Sequence, residues 1–405
     1  MEKQKWIFPL LLALGLRLIL TIWLASTWMV TDRYRQNPTT EYLQKTGWSN
    51  ISPQSTIVGR AFLDVWLRWD AVQFLNIAKY GYTIQFPNLP ISSHAYAYFP
   101  AYPLVVRLVT SILPLAPLHM ESYAIASLLV SLAATFTAMT AMQKLVLILF
   151  QDRMLANWSI LLWGTFPTSF FLFAPYSEGL FAAFTLITFI FISKKNWLLA
   201  GIFCSLAGFT RSQGILVTLS VGLALLLDVI RQRRFPSLTS IIGLIIAPLG
   251  WLSYQLWIPT QVNGNLFNLY NSGWNNRLAD PITVFINTLS YDIKVRNTLG
   301  FFELLAILVF GSILVWMLTK PLFHNAPELL LYSVTTMGAF IVWDCSGCSG
   351  YISSLRYILS VYPVFIGLAW LILRLPARFQ GAIVTINTFL LLICSLMYAL
   401  WVFIA

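Results

Sequence analysis

Apolar residues run in stretches of membrane-spanning length along the whole chain, separated by short polar or charged breaks. The pattern predicts spans at roughly 6–30, 121–143, 154–174, 177–193, 197–211, 213–230, 238–257, 298–319, 327–343, 353–373 and 380–402. Runs of this length mean helices, because a chain in lipid must satisfy its own backbone hydrogen bonds, and barrel strands would be short and alternating. The first run is too long and wrongly flanked for a cleaved signal peptide, so it reads as a retained span. Segments flanking Pro175 and Arg211 are short, as broken helices that line cavities are.

Two polar segments stand out, roughly 31–120 and 258–297. In the first, residues 61–80 place Asp64, Arg68, Asn76 and Lys79 on one side and Phe62, Leu63, Trp66, Phe74 and Ile77 on the other. That spacing predicts one amphipathic helix lying in the membrane interface. Residues 101–113, opening Ala101-Tyr102-Pro103, predict a second interfacial or re-entrant helix. No low-complexity tract or internal repeat interrupts the chain, which reads as a single domain over 1–405. The expected fold is an all-α membrane protein, a bundle of about 11 spans with interfacial helices in its long first outer loop.

Composition agrees: 58% of the 405 residues are hydrophobic and 10% charged. The formal charge of +11 does not gather as a nucleic-acid-binding domain would need, so the expected partner is a lipid bilayer and not nucleic acid. Loops on the amino-terminal face hold Lys3, Lys5, Lys144, Arg153, Lys194, Lys195, Arg231, Arg233, Arg234, Lys320, Arg374 and Arg378 against only Glu2, Asp152, Asp228 and Glu328. The excess of cations in short loops assigns that face to the cytoplasm, and both long segments to the outside.

Chemistry then concentrates in the outer loops. On a continuous helix Asp70 would sit among Leu63, Trp66, Phe74 and Ile77, an acid on the apolar face, away from Asp64 and Arg68. Such a charge is costly and points to a general base or charge partner at the membrane surface. The alternative is a helix break near Trp69, with Asp70 capping the next segment. Asp64 and Arg68, four apart, are expected to pair on a solvated face. Tyr176-Ser177-Glu178 follows Pro175 at an outer turn; Glu178 can join the site, or Ser177 can cap the helix that follows. Arg211 interrupts an apolar stretch and needs an anion, either Glu178 or a ligand phosphate. Trp274 and Arg277 lie in the second outer loop, where Trp274 can equally be an interfacial anchor. Arg356 can pair with Asp344 or hold a phosphate. Of three histidines only His94 lies near this site. Cys345 and Cys348 read as a local disulfide or two thiols, since a zinc site wants four ligands; Cys204 and Cys394 read as packing. No D-x-D pair, P-loop or G-x-G-x-x-G is present, so neither a metal-bound nucleotide sugar nor another cofactor is expected.

These motifs resemble one family. Trp69-Asp70-Ala71 through Gly81-Tyr82, then Tyr98-Phe99-Pro100-Ala101-Tyr102-Pro103, are similar to the PIG-V, or GPI mannosyltransferase 2-like, enzymes of the GT-C glycosyltransferases. Ala174-Pro175-Tyr176-Ser177-Glu178, Thr210-Arg211-Ser212-Gln213-Gly214 and Arg356-Tyr357-Ile358-Leu359 with Pro363 extend the resemblance through most of the chain. Gln213 departs from it, standing where Asn is more usual. The resemblance implies a polyprenyl-phosphate-linked sugar donor, a glycan or glycolipid acceptor, mannose as the sugar, and an acid in the first outer loop at the reaction centre, the position of Asp70. Arg68, Trp69, His94, Tyr176, Glu178, Arg211, Trp274, Arg277 and Arg356 are the expected substrate-binding set. A bacterial inner membrane with the site outside is the expected setting, or the ER membrane in a eukaryote. The competing readings are a transporter or lipid-linked-sugar flippase, whose intramembrane charges would mark a path, and a non-catalytic lipid-holding subunit.

Overall fold

The structure, a computed structural model, describes residues 7–31, 57–82, 93–113, 119–262, 264–274, 276–345 and 348–402. Helices dominate. In chain order they are α1 (Ile7–Thr31), α2 (Ile57–Phe62), α3 (Asp70–Tyr80), α4 (Ala101–Ile112), α5 (Met120–Phe150), α6 (Arg153–Gly164), α7 (Glu178–Ser193), α8 (Trp197–Gly208), α9 (Gly214–Gln232), α10 (Leu238–Ile246), α11 (Leu249–Gln261) and α12 (Leu266–Trp274). There follow α13 (Pro281–Val295), α14 (Thr298–Leu318), α15 (Pro321–His324), α16 (Pro327–Ile341), α17 (Ser354–Tyr357), α18 (Tyr362–Ile372) and α19 (Ala377–Ala399). The expected all-α fold needs one amendment. Strands β1 (Asn276–Leu278) and β2 (Trp343–Cys345) pair antiparallel, with Arg277 opposite Asp344.

Among the described residues six helices are long and apolar enough to cross a membrane: α1, α5, α9, α14, α19 and the 238–261 stretch of α10 with α11. The bent pair 354–360 and 362–372, turned by 87°, makes a seventh if it counts as one span. Other expected spans are shorter as helices, among them α7 and α8. Leu10, Leu14 and Leu18 of α1 and Phe302, Leu305 and Val309 of α14 are exposed, apolar rows suited to lipid.

Two packing arrangements position the turns next to Glu178 and Arg211. A Cβ on Gly201 would fall 2.0 Å from the Gly243 carbonyl oxygen, and one on Gly250 would fall 1.8 Å from that of Ser205. Thus α8 runs beside α10 and α11 in direct backbone contact, which only glycine permits. This fixes the carboxyl-terminal end of α8, which Arg211 follows. The second arrangement satisfies a cation inside the first span. Arg17 Nη1 donates to the Phe173 carbonyl at 2.8 Å, and its guanidinium lies 4.2 Å from the Trp66 ring centroid. It thereby stabilises the irregular 165–177 segment between α6 and α7, whose carbonyls would otherwise lack helical donors.

The continuous helix expected at 61–80 does not form. After α2 comes a single 3₁₀ turn, Asp64–Trp66, and the chain then bends before α3. Trp69 takes φ 55° and ψ −126°, a region that costs a side-chain-bearing residue about 1–3 kcal/mol. Its ring is held edge-on to Trp401 at 5.5 Å. Nor is α3 a surface helix, since residues 71–78 are all buried. The solvated Asp64–Arg68 pair is corrected too. Both residues are buried, and Arg68 donates to the Asp64 backbone carbonyl and, through Nε, to the Ala399 carbonyl at 2.9 Å. At the bend the buried guanidinium finds these backbone carbonyls as acceptors.

Candidate active site

The bend at Trp69 separates Arg68 from Asp70. Arg68 faces α19, while Asp70 begins α3 without capping it: its Oδ1 accepts from the Tyr98 phenol at 2.8 Å, and its Oδ2 pairs with Arg356 Nη1 at 2.7 Å. Tyr98 is itself fixed, its carbonyl accepting from the phenols of Tyr82 at 2.6 Å and Tyr254 at 3.0 Å. Burial, and then the Asp70 carboxylate, hold the Tyr98 phenol protonated well above the ordinary tyrosine range. It therefore remains a donor.

Arg356 is the hub. Its Nε contacts Glu178 Oε1 while Nη1 contacts Asp70, so one guanidinium bridges carboxylates from two distant parts of the chain. The rings of Tyr176 and Phe171 lie 4.6 and 5.1 Å from its Cζ. Arg211 approaches from the other side, with Nη1 2.6 Å from Glu178 Oε1 and 3.2 Å from Ser177 Oγ, and Nε bonded to Gln213 at 3.0 Å. Ser177 thus serves Arg211 and does not cap α7. Gly214 lets α9 begin against α8, since a Cβ there would meet the Gly208 Cα at 2.3 Å. Two acids and two arginines form a neutral cluster, in which Asp70 is the most open member at 26% side-chain exposure and Glu178 the least at 6%. Charges buried to this degree persist only when mutually paired.

Beside the cluster lies a cavity lined by Glu178, Arg211, Arg356, Phe181, Ser360 and Tyr362. Its volume of about 10 Å³ suits a single water. One buried polar atom of a lining residue, Glu178 Oε2, has no hydrogen-bond partner among the described residues. Chemically the arrangement offers a carboxylate in partial contact with solvent, two guanidiniums suited to an oxyanion, and a small recess behind them that Leu172 and Leu359 also line.

The expected residues divide accordingly. Asp70, Glu178, Arg211 and Arg356 converge, and Tyr176 joins them through its ring and a 3.1 Å bond from its hydroxyl to the Arg68 carbonyl. Arg68 and Trp69 shape the bend instead. Arg277 lies apart, pairing with Asp344 at 2.7 Å across the β ribbon with Asn287 as a further donor. That pairing replaces the one considered between Arg356 and Asp344. His94 lies in the turn Ser93–Ala97 and Trp274 ends α12, but both side chains fall outside the described residues. Cys345 and Cys348 are joined as a disulfide. Sequence reasoning assigned nothing to Tyr98 or Arg17; Tyr98 stands in the aromatic-proline motif, a signal that could have found it.

Comparison with known proteins bears on this geometry. The family described as Mannosyltransferase (PIG-V) matches residues 16–242, a stretch that includes Asp70, Glu178 and Arg211 and stops short of Arg356. The GPI alpha-1,6-mannosyltransferase 2 of Rattus norvegicus is 33% identical over 162 residues, 39% of this chain and 30% of that protein. The GPI mannosyltransferase 2 of Schizosaccharomyces pombe is 24% identical over 170 residues, 42% of this chain and 34% of that protein. The chain therefore aligns with about a third of the length of these relatives. Among solved structures, ArnT from Cupriavidus metallidurans bound to undecaprenyl phosphate gives a TM-score of 0.49 at 15% identity, covering 79% of this chain and 60% of that one. With more than half of its residues matched by the family description, the chain belongs to the PIG-V mannosyltransferase family.

Proposed function

We propose that this protein transfers mannose from a polyprenyl-phosphate donor to a hydroxyl of a glycan or glycolipid, on the extracytoplasmic side of the membrane and with inversion at the anomeric carbon. The observation that supports this best is the Arg356 guanidinium held between Asp70 and Glu178, with Arg211 on the far side of Glu178. In the proposed reaction Asp70 accepts the proton of the attacking hydroxyl as its oxygen bonds to C1. The C1–O bond to phosphate breaks on the opposite face, and polyprenyl phosphate leaves with the electron pair. Arg356 and Arg211 exchange part of their contact with Glu178 and Asp70 for the phosphate oxygens, whose charge grows as the bond breaks. Arginine supplies that stabilisation without a metal. Tyr98 keeps Asp70 aimed, and the buried Glu178 keeps the two arginines together. The same reading takes the shorter apolar helices as further passes, to make eleven, with the cation-rich loops in the cytoplasm.

The test is transfer by the purified chain in detergent from polyprenyl-phosphate mannose, with Asp70→Asn as the diagnostic variant. Asparagine preserves the bond from Tyr98 but cannot take the proton, so turnover should fall by about 10²–10⁴ with the protein still folded. Turnover within threefold of wild type would remove Asp70 from the reaction, and failure of the wild-type chain with any lipid-linked hexose would remove the transfer itself.

A further inference from the structure

Among the buried carboxyl groups that the proposed reaction leaves unused are Asp292 on α13 and Glu303 on α14, exposed by 0% and 2%. Both face the loop that leads into Arg356. Glu303 Oε1 accepts from the backbone N–H of Ser353 at 2.7 Å. Asp292 Oδ2 accepts from Ser349 Oγ at 3.3 Å, and Thr288 Oγ1 accepts from the Gly350 N–H at 3.1 Å. A Cβ on Gly300 would fall 2.3 Å from Asp292 Oδ2, so α14 sets Gly300 against the Asp292 carboxylate and, one turn on, brings Glu303 to Ser353.

Ser353 is the residue on which the Arg356 turn is built. Its carbonyl accepts from the N–H of Arg356 and of Tyr357, each at 3.0 Å. Its φ of 72° is left-handed, a conformation that serine holds only when its surroundings impose it. The Glu303 contact is part of that imposition: a carboxylate from another helix accepts the N–H of the residue preceding a helical turn, as a capping side chain would from within. Arg356 must place two different nitrogens on two carboxylates, and tolerance for such a constellation is about half an ångström.

We propose that Glu303 is a positioning residue for Arg356, its carboxyl oxygen accepting from the Ser353 N–H and thereby setting the turn that carries the guanidinium onto Asp70 and Glu178. The proposal rests on the role given to Arg356 above and extends it to a residue that touches no substrate. Because Glu303 serves as a hydrogen-bond acceptor for a backbone amide, glutamine can replace it; leucine cannot.

Four measurements on the full-length chain test this. Glu303→Gln should turn over within threefold of wild type. Glu303→Leu should lose about a hundredfold in kcat, as a misplaced catalytic group does, with KM for the acceptor moving less than threefold. Amide hydrogen exchange at 353–357 should accelerate in the leucine variant while α8 and α9 exchange as in wild type. In an Arg356→Lys background Glu303→Leu should add less than threefold. If the leucine variant does not accumulate, Glu303→Asp retracts the acceptor by one methylene and is subject to the same kcat and exchange comparisons. Wild-type kcat and exchange in Glu303→Leu, or full multiplication of its loss with that of Arg356→Lys, would overturn the assignment. Should the wild-type chain transfer no sugar, the transfer reading is what fails, and the exchange comparison still decides the clamp.

Discussion

Arg356→Lys isolates what the guanidinium does beyond carrying charge. Arginine reaches Asp70 through Nη1 and Glu178 through Nε. Lysine keeps the positive charge but has one nitrogen on a flexible stem, so it can satisfy one carboxylate at a time. At 6% exposure Glu178 cannot turn to water, and breaking a buried pair costs about 3–5 kcal/mol. Arg211 still holds Glu178, which sets the expected loss of stability near the lower bound, about 3 kcal/mol. Catalysis should suffer separately. If two guanidiniums share the leaving phosphate, loss of one properly aimed donor should cost about 10²–10³ in kcat. The assay pairs sugar transfer from a polyprenyl-phosphate donor with thermal unfolding of the same preparations, followed by tryptophan fluorescence. A lysine variant within threefold of wild type, with an unshifted unfolding midpoint, would refute the bridging argument and reduce Arg356 to a neutralising charge.

Two further outcomes follow from the residues around Asp70. Trp69→Gly should be less destabilising than Trp69→Ala by about 1 kcal/mol, since both lose the Trp401 contact but only glycine relieves the positive φ; equal midpoints in thermal unfolding would mean that the backbone there is unstrained. Tyr98→Phe should lower kcat about tenfold by freeing one Asp70 oxygen, a loss of about 1.4 kcal/mol. Because the phenol's folded value is raised, the stability it contributes is whole below the ordinary tyrosine value of 10.0 and is lost progressively as pH rises from there through the folded value. Wild-type unfolding midpoints should therefore fall more steeply above pH 10 than those of Tyr98→Phe, and parallel curves would contradict the assigned burial.

The long helices could be read from the sequence because apolar run length responds directly to the bilayer, and α1, α5, α9, α14 and α19 all lie on predicted runs. Asp70, Glu178, Arg211 and Arg356 were legible for a related reason: charges in apolar surroundings are conspicuous, and loop cations place all four on one face. The break at Trp69 could be read only as the alternative to a continuous helix, because the segment carries no glycine or proline and the cause is tertiary, a ring lodged against Trp401 far along the chain. Nor could periodicity reveal strands three residues long, so the Arg277–Asp344 pair stayed hidden and Arg356 was offered the wrong acid. Arg17 was lost inside the first apolar run, where a single cation hardly alters mean hydropathy although it supports the turn beneath the site.

The lacing of Tyr398 onto the bend has a bearing on biogenesis. Its phenol donates to the Trp66 carbonyl at 2.8 Å, across 332 positions of sequence, and Arg68 reaches back to the Ala399 carbonyl. A ribosome emits Asp70 long before either partner exists. Until α19 is inserted the elbow lacks its fastening, and until α17 arrives Asp70 and Glu178 lack the guanidinium they share. Glu178 meanwhile has only Arg211, and Asp70 still lacks its cation. Activity, on this view, is the last property the polypeptide acquires, and a truncation that removes α19 should leave an inactive protein with a loosened elbow rather than a slower enzyme.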